Sequence, residues 1–298
     1  MKRLRGYLWI WAAALLWGIL GPVSRAAFDE GILPLEVAFW RAALTWGCFG
    51  IHAAATRQVR LETRDILPVG AFAVSGVAMF YGSYQLAIRS GGAALASVLL
   101  YTAPVWVTLM SRIFFKERIT LVKVTAVAMT VIGVAAVSMD GGRTGTGAVS
   151  VGAAAIGYGL MAGFCYSVYY IFGKYFSGRY TSPNLFLYML PVGALCLWPW
   201  VDFTPKTPAA WLSLAAVALI STYGAYFCYY NSLKYLEPSR ASVSATLEPV
   251  VAAVVAFFWW GEVMGISGYL GSAMIIASVL VMITDDIRTG GMAEGKSD

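Results

Sequence analysis

Two ionisable side chains, Arg41 and Glu248, stand inside long apolar runs. A charge in hydrocarbon is costly unless it meets a partner, a cavity or water, so each marks a candidate site. At 1.5 Å per helical residue, Glu248 lies roughly 15 Å into its run and Arg41 roughly 10 Å. Three roles are open. The two could pair with each other, as buried charges usually do. Arg41 could instead hold a substrate carboxylate, and a desolvated Glu248 could carry a proton.

Aromatic residues form the second set. Tyr81 and Tyr84 are three apart and share a helix face, as do Tyr226 and Tyr229. Tyr101, Tyr166, Tyr223 and Trp17 fall at similar depth. Rings with a polar tip suit stacking on a planar substrate, though plain core packing is equally open. Tyr7, Trp9, Trp198, Trp200 and Trp211 lie near run ends and are assigned to the aromatic belt at the membrane interface. Pro104 and Pro249 fall in mid-run, where a proline removes a backbone hydrogen bond; they are either hinges or static kinks. Asn231 and Gln85 are read as helix-end caps, and the lone histidine, His52, as a solvated interfacial group. No Cys/His spacing suits a metal, so neither metal nor cofactor is expected.

These residues need a membrane to position them. The 298 residues are 59% apolar and 12% charged, with a mean hydropathy of +0.71. Soluble domains carry roughly 25% charged residues, so lipid must be the solvent here. A span takes roughly 20 apolar residues. Ten are read, over 7–26, 34–55, 66–88, 93–114, 119–139, 149–172, 184–201, 209–232, 239–259 and 264–283. Short breaker-rich turns such as Ser90-Gly91-Gly92 join them. Most Lys and Arg fall on one side, in clusters such as Arg57, Arg60, Arg64 and Arg112, Lys116, Arg118, Lys123; Arg25, Arg89, Arg143 and Lys206 fall on the other. That bias places both termini in the cytoplasm. It also accounts for the net charge of +6 without nucleic acid as a partner.

The chain repeats itself at a constant offset of 145 residues. Tyr81 matches Tyr226, Tyr84 matches Tyr229, Ala96-Ser97-Val98 matches Ala241-Ser242-Val243, Pro104 matches Pro249 and Glu117 matches Glu262. The halves are expected at 1–146 and 147–288, with 289–298 a disordered tail. Five spans per half is an odd number, so the second half is inverted. Inverted repeats are a mark of carriers that alternate access around a midplane site. Spans 1, 3, 4, 6, 8 and 9 should line that site. Gly133, Gly268 and Gly271, in spans 5 and 10, should let those two spans pack tightly as scaffold.

Trp17-Gly18, Phe39-Trp40-Arg41, Ala103-Pro104…Lys116-Glu117-Arg118 and Glu248-Pro249-Val250…Gly261-Glu262 together resemble the ten-helix, EamA-type branch of the drug/metabolite transporter superfamily. The resemblance covers nearly the whole chain. It implies an all-α membrane protein of two inverted five-helix repeats in a bacterial inner membrane, performing secondary transport, often export of amino acids or other metabolites. The aromatic-rich spans are most similar to aromatic amino-acid exporters. The implied partners are a small-molecule substrate and the bilayer, with a monomer expected and a dimer open.

Other classes fit less well. A multidrug carrier stays open as the alternative, whereas a nucleotide-sugar carrier would need several cavity Lys or Arg. A membrane-embedded enzyme would show paired acids or His clusters. Only Asp285-Asp286 pairs two carboxylates, at a position read as a solvated tail. A channel would show a filter-like loop or a ring of charge.

Overall fold

The computed structural model describes residues 2–141, 152–261 and 263–294; the expected boundary between halves and Arg143 and Glu262 lie outside them. All regular structure among the described residues is helical. In chain order the α-helices are α1 (Lys2–Gly18), α2 (Leu20–Asp29), α3 (Pro34–Ala55), α4 (Thr63–Ala73), α5 (Phe80–Leu100), α6 (Ala103–Phe115) and α7 (Leu121–Gly141). The second half holds α8 (Ala153–Phe176), α9 (Ser182–Leu197), α10 (Pro208–Ala218), α11 (Ala225–Ser232), α12 (Pro238–Ala245), α13 (Glu248–Trp260) and α14 (Ile266–Glu294). Wide π-helical turns at Val74–Met79 and Leu219–Gly224 join α4 to α5 and α10 to α11. Pro34, Pro183, Pro208 and Pro238 sit in the first turn of their helices, where a missing N–H costs nothing.

The sequence repeat is a structural repeat. Both π-turns, both mid-membrane breaks (Tyr101–Thr102 and Thr246–Leu247) and both left-handed C-caps (Lys116 at φ 56° and Gly261 at φ 69°) recur at the offset of 145. The breaks correct one expectation. Pro104 and Pro249 are not in mid-helix but are the second residues of α6 and α13. Each follows an existing interruption and therefore removes no helical hydrogen bond.

Among the described residues, eight helical stretches are long and apolar enough to cross a membrane. Of the other two expected spans, α3 is long enough but carries Glu36, Arg41 and His52, and α9 has only 16 residues. These two pack on each other, with Phe49 stacked on Phe186 at 4.8 Å. The expected turn at Ser90-Gly91-Gly92 falls inside the contiguous helical stretch of α5, with no non-helical residue to mark it. Even so, Phe80 stacks on Tyr166 at 5.3 Å while Leu99 lies against Gly159 and Gly163. A straight helix would hold Phe80 and Leu99 roughly 28 Å apart, whereas Gly159 and Tyr166 are roughly 10 Å apart along α8. The chain therefore doubles back within α5.

The scaffold forms as expected. A Cβ on Gly133 would stand 2.8 Å from the Gly271 carbonyl oxygen, and one on Gly271 2.5 Å from that of Gly133. Thr130 and Ser278 share a buried hydrogen bond of 2.9 Å across the same contact. Backbones approach this closely only where side chains vanish. Gly133→Leu, by overpacking this contact, should lower stability by about 1–3 kcal/mol. Gly157→Ala, where a Cβ meets nothing within 4 Å, should leave the melting temperature unchanged or raised. Thermal unfolding of the two purified variants in detergent checks this; equal melting points would refute the tight α7–α14 contact.

Candidate functional site

Arg41 projects from α3 into the centre of the bundle. Its Nε donates to Thr222 Oγ1 at 2.8 Å, and its guanidinium carbon lies 5.0 Å from the Tyr81 ring centre and 5.9 Å from that of Tyr226. Two aromatic faces and a hydroxyl thus offset its burial. No ion pair joins Arg41 to Glu248; the carboxylate stands further off, close enough for its field to reach. The direct pair left open by the sequence is not formed.

The remaining predicted residues divide between these two charges. Around Arg41 stand Tyr81, Tyr226, Trp17 and Tyr229; Trp17 packs on Tyr226 at 5.8 Å and on Tyr229 at 5.6 Å. Around Glu248 stand Tyr84, Tyr101 and Tyr166, with the Tyr101 hydroxyl within hydrogen-bonding reach of the carboxylate. The two sets meet where Tyr170 packs edge-on against Tyr229 at 5.2 Å. Tyr223 is not brought in. Its hydroxyl bonds His52 Nδ1 at 2.7 Å and its ring lies on Phe49, so His52 has a partner within the bundle.

Several site residues escaped the sequence reading. Tyr169 stacks on Tyr226 at 5.4 Å, and Tyr170 donates to the Tyr166 hydroxyl at 3.3 Å. Tyr166, Tyr169 and Tyr170 stand at i, i+3 and i+4, the same spacing rule that exposed the other tyrosine pairs. Thr222 had no such signal, because the π-turn shifts the helical register that spacing rules assume. The hydroxyls of Tyr81, Tyr169 and Tyr229 are buried with no aligned hydrogen-bond partner. A buried polar atom without a good hydrogen bond costs about 1–3 kcal/mol; for Tyr81 and Tyr169 the adjacent Tyr226 hydroxyl eases that cost.

Between the two helix breaks lies a narrow crevice, too tight for a water-sized sphere, lined by Tyr101, Ala103, Pro104, Tyr166, Tyr170, Ser242, Ala245 and Thr246. Its two sides differ. Toward the face where α1 begins, every residue from Pro238 to Thr246 is buried; away from it, none from Glu248 to Trp259 is. Arg41 and Glu248 themselves are only half-buried. Charges at mid-depth face the interior of the bundle rather than lipid.

Ion pairs seal the terminal face. Lys123 Nζ bridges Glu117 at 2.9 Å and Glu237 at 2.8 Å; Arg240 joins Glu237 at 3.1 Å and Asp285 at 2.9 Å; Arg3 joins Asp286 at 2.6 Å. A second tie links Arg179 to Asp65 at 3.0 Å, with Tyr180 donating to the same carboxylate at 2.7 Å. Two expectations are corrected here. Asp285-Asp286 is no solvated tail, since it ends this network and α14 continues past it to Glu294. Tyr7 does not belong to an interfacial belt; it is buried beside Trp11, Arg240 and Asp286. Trp198 and Trp200 are exposed as a belt requires. Asn231 caps its own helix end, donating to Phe227 O at 2.9 Å and accepting from Lys234 at 2.8 Å; the Gln85 side chain is outside the described residues. On the opposite face, Lys206 pairs with buried Glu36 at 2.5 Å inside a ring of Trp40, Phe203 and Trp211.

Known proteins settle the family. The profile of the EamA-like transporter family matches residues 4–139 and again 153–284. The chain belongs to this family. Among relatives, an uncharacterized transporter of Archaeoglobus fulgidus is 27% identical over 88% of this chain and 92% of its own length. A probable terminal-alkyne amino-acid exporter of Streptantibioticus cattleyicolor is also 27% identical, over 92% of each. An uncharacterized transporter of Bacillus subtilis, YdfC, is 23% identical over 89% of this chain and 86% of its own. A solved crystal structure superposes with a TM-score of 0.80 over 95% of this chain and 98% of that one, at 19% identity, which shows a shared fold. This EamA-family member is therefore a membrane transporter.

The terminal seal should be acid-sensitive. Burial opposes ionisation of Glu237, but its hydrogen bonds to Lys123 and Arg240 outweigh it and hold the carboxyl below the usual carboxylate range. The stability this gives is complete above the unfolded value near about 4.3 and is lost as pH falls through the lower folded value. The melting temperature should therefore drop on acidification below about pH 4, and Glu237→Gln should flatten that limb. Melting curves of both proteins on acidification check this; identical slopes would count against it.

Proposed function

We infer that this transporter exports amino acids, aromatic ones favoured, across the bacterial inner membrane by alternating access. The single observation that carries the reading is an intramembrane guanidinium set among tyrosine rings with no carboxylate paired to it. A zwitterion supplies the missing anion. Its carboxylate would meet Arg41, its ammonium would lie toward Glu248, and an aromatic side chain would lie against the tyrosines between them.

The charge bias of the connecting segments supports cytoplasmic termini. On that assignment the cytoplasmic side is the sealed one, and the molecule stands open outward, poised to release an exported solute. Rocking about the helix breaks before Pro104 and Pro249 would reverse the two sides. The ion pairs at Lys123 and Asp65 would part as the outer helix halves closed on each other. The relative from Streptantibioticus, named as a probable amino-acid exporter, adds weight to the substrate class.

The test is uptake of labelled phenylalanine, tryptophan and threonine into proteoliposomes, with glutamate as control and with or without a pH gradient. Phenylalanine and tryptophan should move and compete with each other. Arg41→Ala should cut phenylalanine transport by about 10- to 100-fold, the equivalent of one charge-assisted hydrogen bond of about 1.5–3 kcal/mol. Failure of every aromatic amino acid to move or compete would remove the proposed substrate.

A further inference from the structure

We propose that Thr222 is the residue that aims Arg41, fixing the guanidinium so that its outer edge is presented to a carboxylate. This rests on the amino-acid reading above. A threonine hydroxyl has one proton to give and lone pairs to receive. Here the proton is committed: Thr222 Oγ1 donates to Val217 O at 2.8 Å, a carbonyl five residues back. The π-turn brings that carbonyl into reach of the side chain. With its proton spent, the oxygen can only accept, and it accepts from Arg41 Nε at 2.8 Å. Nε is the inner nitrogen of the guanidinium. Among the described residues neither Nη atom has a hydrogen bond, and neither is closed off from solvent. The planar pair of outer nitrogens is the edge that binds a carboxylate in two parallel bonds. Thr222 thus occupies the nitrogen a substrate does not need and leaves the two that it does.

The neighbouring contacts hold the same register. Thr45, one turn along α3 from Arg41, donates to Ala218 O at 3.1 Å, and His52 meets Tyr223 at 2.7 Å. The polar stripe of α3 is therefore seated at two points on the second π-turn and at a third on the α10 residue just before it. The matching place in the other half lacks every part of it. At the offset of 145, Thr222 corresponds to Val77, and Arg41 to Phe186. Val77 packs against Gly193 of α9, where a Cβ would stand 2.3 Å from it. The π-turn alone does not call for a hydroxyl, so Thr222 is matched to the charge opposite it.

Thr222→Val copies the other half of the molecule and keeps the side-chain shape. The experiment compares phenylalanine with phenylalanine amide, which keeps ring and ammonium but lacks the carboxylate, in proteoliposomes of wild type, Thr222→Val, Thr222→Ala and Thr222→Ser. Thr222→Val and Thr222→Ala should raise KM for phenylalanine about tenfold while leaving the maximal rate and the handling of the amide unchanged. Thr222→Ser, which keeps the hydroxyl, should restore the wild-type preference. Equal losses for both compounds would mark a merely structural residue and overturn the proposal. So would a valine variant that discriminates as well as wild type. Wild-type vesicles that move no amino acid would instead strike the transport reading, and the proposal with it.

Discussion

A positive charge in the middle of a hydrocarbon slab must be compensated, and the manner of compensation at Arg41 organises the molecule. An ion pair would have neutralised it and left little to offer a ligand. Ring faces and one hydroxyl stabilise the cation without cancelling it. That solution demands bulk, since rings must arrive from α5, α8 and α11 at once. It also demands that α3 carry more polarity than a freestanding span tolerates. Accordingly α3 is shielded, with α9 on one side and the second π-turn on another.

The two halves share their backbone plan and differ in their chemistry. Turns, breaks and caps recur at one offset, while Arg41, Thr222 and Glu248 face Phe186, Val77 and Ala103 at the equivalent places. A pocket between two such halves is charged on one side of its pseudo-axis and apolar on the other. A ligand with distinct ends then binds in one orientation rather than two. On the alternating-access reading, the symmetric backbone would let the molecule exchange its open and closed sides while the asymmetric side chains select the solute.

Much of this was legible from residue types and spacing. Span positions, the duplication, the Gly133–Gly271 contact and the burial of Tyr81, Tyr226 and Tyr229 follow from hydropathy, offset and helical periodicity. The failures share a cause. Pro104 looked like a mid-helix kink because hydropathy is blind to a break in hydrogen bonding. Asp285-Asp286 looked solvated because its partners, Arg3 and Arg240, are remote in sequence. Tyr223 looked like a companion of Tyr226 by its depth, but it lies in a π-turn and its hydroxyl meets His52 instead. Periodicity describes one helix at constant pitch; these misses lie where pitch changes or where distant segments meet.

The paired wide turns bear on descent. Val74–Met79 and Leu219–Gly224 occupy the same register, yet only the later one touches a guanidinium. A feature present in both copies was already there before the copies diverged. The shared coil therefore predates the divergence of the halves, and in the half that faces Arg41 the Val217 carbonyl it frees takes the proton that leaves Thr222 an acceptor for the cation.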